Sequence, residues 1–298
     1  MSFNKPLFME PEVNQYGRNM VMTNVKRVGK RKYVNIDSVY KDTTFNVTNS
    51  IANINITLPE RITNTHSIMV CNAEIPMSFY NISAALGNNY FSIMVGVTKT
   101  VYFIDDGFYS PSSLITAINN AIVGTGVSFT HNSLNNRVKI ASTSARVVNF
   151  NINNGGSGDE INYKSKLGWA LGFRSTSPYT ITSTTTITSE KATSLNMRYI
   201  YIVVDEFSSA NTNSFISPNG AGFISKNILA RITLDYPFFQ FGQVLPANNF
   251  NGLLLTDVRS YNGAIDIQKL NIQLVGDTGA VLDLNGSDFS FCLQVDYE

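Results

Sequence analysis

The sequence predicts an all-β protein of the sandwich or barrel kind. Short runs rich in Ile, Val, Phe, Tyr and Thr recur along the whole chain, and turn residues separate them. Six Asn-Gly or Asp-Gly pairs (Asp106-Gly107, Asn154-Gly155, Asn219-Gly220, Asn251-Gly252, Asn262-Gly263, Asn285-Gly286) offer the positive φ that tight turns demand. No repeat of fixed period is present, which argues against a propeller or solenoid.

The strands expected in order are Tyr33–Ser38, Asn53–Leu58, Ser67–Ile75, Tyr90–Val95, Thr100–Ile104, Arg137–Ala141, Arg198–Asp205, Ile228–Asp235, Ile265–Val275 and Asp288–Tyr297. Ile265, Ile267, Leu270, Ile272 and Leu274 alternate with one slip between Ile267 and Leu270, the mark of a β-bulge. The last two strands are expected to pair as a hairpin. One helix interrupts the pattern at about 111–123. Ser110 can cap it, Pro111 suits its first turn, Leu114, Ile115, Ile118, Ala121 and Ile122 share a face, and Gly124 can close it. A helical turn is expected in Lys166–Phe173, with Trp169, Leu171 and Phe173 in the core. The Ser- and Thr-rich residues 174–194 read as a polar strand or an extended connection.

Residues 1–32 contain Pro6, Pro11 and Gly17, keep no periodicity, and hold seven basic against two acidic side chains, a net +5. They read as a basic extended arm whose assembly residues are Lys26, Arg27, Lys30, Arg31 and Lys32. The rest of the chain is near −4, so the total of +1 is no global footprint of a nucleic-acid binder. The arm's charge suits either contact with nucleic acid or an anionic membrane, or a solvated tail.

Only 14% of residues are charged, against roughly 25% in an average globular protein. Such a surface is weakly defended against association and suits a chain packed against neighbours. Cys71 and Cys292 are too few for a disulfide framework, and their apolar strand contexts predict buried, unreactive thiols. The opening Met-Ser-Phe-Asn-Lys-Pro has no apolar leader, and no run approaches the ~18 apolar residues of a membrane span. Synthesis in the cytosol is therefore expected, with the Asn-x-Ser/Thr triplets at Asn46, Asn55, Asn81 and Asn285 unglycosylated.

Catalytic chemistry is thinly supplied. His66 and His131 sit in polar loop contexts without a partner at metal-ligand spacing. Gly155-Gly156-Ser157-Gly158 lacks the strand-to-helix frame of a phosphate loop, and Asp106-Gly107 reads as a turn. Asp277-Thr278-Gly279 has no second copy to complete an acidic dyad. The expectation is no enzyme, no cofactor and no metal.

Several motifs follow one another in a telling order. They are Tyr33-Val34-Asn35-Ile36-Asp37-Ser38; Ala73-Glu74-Ile75-Pro76 with Tyr80-Asn81-Ile82; Asn88-Asn89-Tyr90-Phe91; Ile104-Asp105-Asp106-Gly107-Phe108-Tyr109-Ser110 with Leu114 and Ile118-Asn119; Leu167-Gly168 and Leu171-Gly172-Phe173; and Asp266–Leu274 with Leu282-Asp283-Leu284 and Asp288-Phe289-Ser290-Phe291. In that order they resemble the penton and minor capsid proteins of nucleocytoplasmic large DNA viruses and virophages. The resemblance implies a jelly-roll β-sandwich in the capsid shell of an icosahedral virion, made in the host cytoplasm. The implied partners are the major capsid protein and other minor capsid proteins, with a pentamer if the chain is a penton. The 174–194 stretch and the basic arm depart from the pattern.

A jelly roll needs eight strands in two sheets. The partition expected is an arm at 1–32, a jelly-roll sandwich from 33–83 and 191–298, and an inserted β-rich unit at 84–190 carrying the helix; two β-domains split near 190 are the alternative. The rival functions are a β-sandwich adhesin or carbohydrate-binding module, which needs exposed aromatics on one face, and a hydrolase, which needs Asp105, Asp106, Asp159 and Glu160 in one cleft.

Overall fold

Side chains that alternate across a pleat bury one face of a strand, and a sheet so built must find cover for that face. A computed structural model describes residues 29–42, 52–208, 215–219, 222–224, 227–234 and 240–298 of the 298. Its strands are β1 (Lys30–Asp37), β2 (Asn53–Pro76), β3 (Tyr90–Val95), β4 (Thr98–Phe103), β5 (Val127–Asn132), β6 (Arg137–Ser142), β7 (Arg146–Asn149), β8 (Tyr179–Ile181) and β9 (Ile187–Thr188). They continue with β10 (Tyr199–Asp205), β11 (Ser217–Asn219), β12 (Gly222–Ile224), β13 (Ile228–Thr233), β14 (Val244–Asn248), β15 (Leu254–Thr256), β16 (Arg259–Gly276) and β17 (Ser290–Tyr297). Two α-helices, α1 (Pro111–Ala121) and α2 (Leu167–Ala170), complete this all-β fold.

The main sheet runs β1-β17-β2-β16-β10-β13-β15, with β14 pairing the end of β2, and every pair is antiparallel. Strand β2 organises it, meeting β16 through residues between Asn53 and Ile68 and β17 through Thr65 to Glu74. One apolar cluster gathers Ile36 of β1, Ile54 and Val70 of β2, Ile232 of β13, Ile272 of β16 and Phe291 of β17. Neither helix contributes to that cluster, so the sheet curls over itself into a jelly-roll-like sandwich.

The buried residues of a second cluster all lie between Ile82 and Ile181, with Ile187 and Leu195 packed against them. The sheets β4-β3-β7-β8 and β5-β6-β9 build it with α1. Ser110 caps α1 in a reciprocal capping box with Ser113, Pro111 opens it, and Leu114, Ile115 and Ile118 are buried. Asn119 fixes the helix to β5 by giving Nδ2–H to the Phe129 carbonyl at 2.9 Å and accepting its N–H at 2.8 Å. Rings fill the centre: Phe150 stacks on Phe173 at 5.1 Å, with Phe91, Phe129 and Tyr179 around it.

Four expectations need correction. The stretches 53–58 and 67–75 are one 24-residue strand, β2. Pro59 is tolerated because residues 58–61 fall in a gap of the register with β16, between Thr57↔Lys269 and Ile62↔Ile267, and Asn64, at φ +54°, lies where that register shifts again. Asn262-Gly263 is correspondingly not a turn but lies inside β16, between Ser260 and Ile265 where that register slips. Strands β16 and β17 do not form a hairpin, because β2 lies between them. Trp169 is only half-buried, whereas Leu171 and Phe173 are core.

Candidate assembly surface

The arm residues divide. Lys26 and Arg27 lie outside the described residues. Lys30, Arg31 and Lys32, expected in the arm, are instead the first residues of edge strand β1, in register with Tyr297, Asp296 and Val295 of β17. Arg31 Nε donates to Asp296 Oδ1 at 2.8 Å, and Ser67 Oγ donates to the other carboxylate oxygen. The guanidinium holds the Asp296 carboxyl below the usual range, and the same hydrogen bond raises Arg31. Lys32 Nζ sits 3.1 Å from Glu60 and 5.5 Å above the Tyr297 ring. Two of the five cations are thus matched by the body itself. Short, cationic edge strands discourage uncontrolled pairing.

Beside β1 runs a groove of about 450 Å³. Residues 32–37 line it without a break, as do 56–60 of β2. On a sheet face only alternate residues would do so, and the groove therefore follows two main-chain edges. No strand among the described residues pairs with either edge there; Asp42 reaches across to Asn55 O and Thr57, and Lys32 to Glu60. Ile36, Ile56, Leu58 and Ile62 are buried at the groove, and Tyr33 stands exposed at its rim. Such a geometry can take an extended segment by strand addition.

Several motifs that carry the family resemblance meet in space. Asn81 bonds both the N–H and the carbonyl of Tyr109 at 2.8 Å. Ile82 and Gly107 form a β-bridge, and Asn89 donates to Ile104 O and Asp106 Oδ1. Phe108 stacks on Phe241, which stacks on Tyr80, so rings close the same junction. Gly168 is required by contact: a Cβ there would stand 2.7 Å from Phe150. Gly172, at φ +97°, lies where side chains are strained.

Asp106, Asp159, Asp277, His66 and His131 are each held in a separate structural contact. Asp106 accepts from Ala84 N and Asn89, and Asp277 pairs with Arg198 at 3.1 Å. Asp159 lies 2.6 Å from Lys166, whose hydrogen bond holds its carboxyl down, the opposite of a poised acid. His131 Nε2 lies 2.7 Å from Asn136 Oδ1, and His66 Nε2 lies 3.3 Å from Glu298. Among the described residues no three His, Cys, Asp or Glu gather as metal ligands. Trp169 is no free stacking platform, since Arg174 covers its ring at 3.8 Å and Tyr163 meets it edge-on.

Sequence reasoning missed one buried pair. Arg259 Nη1 donates to Glu206 Oε2 at 2.8 Å and to Val204 O at 2.7 Å, with both side chains essentially inaccessible. The only sequence signal was an acid ending one apolar strand and a base opening another.

No protein-family model matches the chain, and no curated protein matches it. Among solved structures it is similar to the mavirus penton protein, known from a selenomethionine-labelled crystal structure. That likeness has 11% identity and a TM-score of 0.44 over 90% of this chain and 100% of that one. It is also similar to a chain of the Sputnik virophage solved by cryo-EM, at 13% identity and a TM-score of 0.42 over 90% and 98%.

Proposed function

We propose that this chain is a structural component of an icosahedral viral capsid, a penton or minor capsid protein that binds neighbouring capsid proteins. The observation that carries the reading is the junction of motifs. Segments whose order resembles the capsid family are joined physically, through Asn81 to Tyr109 and Asn89 to Asp106. Their order thus has a structural cause.

The surface supplies the mechanism. Val97, Leu134, Ile161 and Phe250 are each more than nine-tenths exposed, on four separate connections of a chain poor in charge. Burial of such tips against other subunits is favourable at about 25 cal/mol per Å² of apolar area. Residues 33–83 and 191–298 act in this proposal as the jelly roll and 84–190 as its inserted unit. Lys26 and Arg27, with β1 behind them, belong to the contact region. The partners are the major capsid protein and other minor capsid proteins, with a pentamer in the penton case.

Replacing Val97, Leu134 and Phe250 with Ser tests this. The expected result is an unchanged melting transition with incorporation into particles reduced several-fold. Normal incorporation of a folded variant counts against the proposal.

A further inference from the structure

The bulge between β2 and β17 changes the standing of the two cysteines. In the register of that pair, Cys292 faces Asn72 and the next residue, Leu293, faces Val70, leaving Cys71 as the extra residue of β2 beside Cys292. Two residues against one is the definition of a β-bulge, and it breaks the alternation of faces. The burial pattern records the break: Val70 and Ala73 point into the core, while Cys71 and Asn72 are both half-buried on the outer face. On β17, Phe291 and Leu293 are core, and half-buried Cys292 shares that outer face. Without the bulge one of the two outward residues of β2 would turn inward. With it the thiols are neighbours.

The electrostatics agree with the placement. Burial pushes the Cys292 thiol up first, and Cys71 and Glu74 add to the rise. Cys71 is likewise raised by burial, opposed by the Gln294 backbone and Arg31. Neither sulfur is in a disulfide. In a bulge two residues stand opposite one, so Cys71, with Asn72, lies opposite Cys292, and a disulfide needs Cα atoms about 4.4–6.8 Å apart.

We propose that Cys71 and Cys292 form a reversible disulfide that ties the organising strand β2 to the last strand β17. The oxidant is a low-molecular-weight disulfide. One thiol loses its proton and attacks that disulfide, forming a mixed disulfide and expelling one small thiolate, which takes a proton. The second cysteine, deprotonated in turn, attacks the protein-side sulfur, closes the Cys71–Cys292 bond and expels the second small thiol. Two protein thiols are oxidised and one small disulfide is reduced. The closed loop spans 220 intervening residues, and cross-links that close long loops restrict the unfolded chain.

The full-length chain, incubated with oxidised glutathione and then denatured without reductant, tests the pair. The expected product is lighter by two hydrogens, resists alkylation at both cysteines, yields a cross-linked peptide containing Cys71 and Cys292, and melts several degrees higher until dithiothreitol is added. Cys71→Ser abolishes all four changes. Thiols that both remain open to alkylation overturn the proposal. So do glutathione adducts or linked dimers in place of the internal bond, or an internal bond with no rise in melting temperature.

Discussion

The two larger apolar cores are assembled in opposite ways. The curled sheet joins strands from the two ends of the chain, β1 to β17 and β2 to β16, and its core is chiefly Ile, Leu and Val. The buried residues of the other core all lie between Ile82 and Ile181, around Phe91, Phe129, Phe150, Phe173 and Tyr179. A core made of distant pairings depends on every strand that bridges its halves, whereas a local one depends on how well a few large groups fit. Loss of a strand should therefore ruin the first, and loss of a ring should wound the second.

The largest effect expected comes from deleting residues 289–298. That removes β17, which stands between β1 and β2, and with it Phe289, Phe291, Leu293 and Val295. The product should be insoluble on expression; a soluble, monodisperse truncation would break the comparison.

Next come single buried groups. Arg259→Met should cost about 3–5 kcal/mol by leaving Glu206 charged in the core, while the double change with Glu206→Leu should recover most of it. Denaturant titration of both variants separates pairing from packing. In the aromatic core Phe150→Ala should also cost about 3–5 kcal/mol. Trp169→Ala, which removes a half-buried ring held by Arg174 and Tyr163, should cost less than half of that. Equal losses at the two positions would mean that Trp169 belongs to the packed centre.

The smallest effect is the pH dependence of the β1–β17 contact. Arg31 depresses the folded-state value of Asp296 below its unfolded one. The contribution is present above the unfolded value near about pH 4 and is lost as pH falls through the depressed one. Asp296→Asn should thus melt lower than the parent at neutral pH, and the gap should close in acid. Because the pair is partly exposed, added salt should narrow it too.

These contrasts follow what the sequence can and cannot convey. Face patterns are local, so Tyr90–Val95 is legible from its own residues, and Ser110-Pro111 announces α1. Pairing partners are not local. The alternation in β16 and β17 is the same whether they pair with each other or with β2, which is why a hairpin seemed sufficient. Lys30 to Lys32 look like a tail because their partners Asp296 and Glu60 lie elsewhere in the chain. The thiols look buried because alternation hides the bulge that turns Cys71 outward. The motif junction was legible only as an order of segments, since hydrogen bonds such as Asn81 to Tyr109 span 28 residues.

The most direct test of the central reading is mass-spectrometric identification of this chain in gradient-purified particles, with its copy number set against the major capsid protein. The account predicts a stoichiometric shell component, retained when the genome is released from the particle. A chain abundant in infected cells yet absent from purified particles would contradict it.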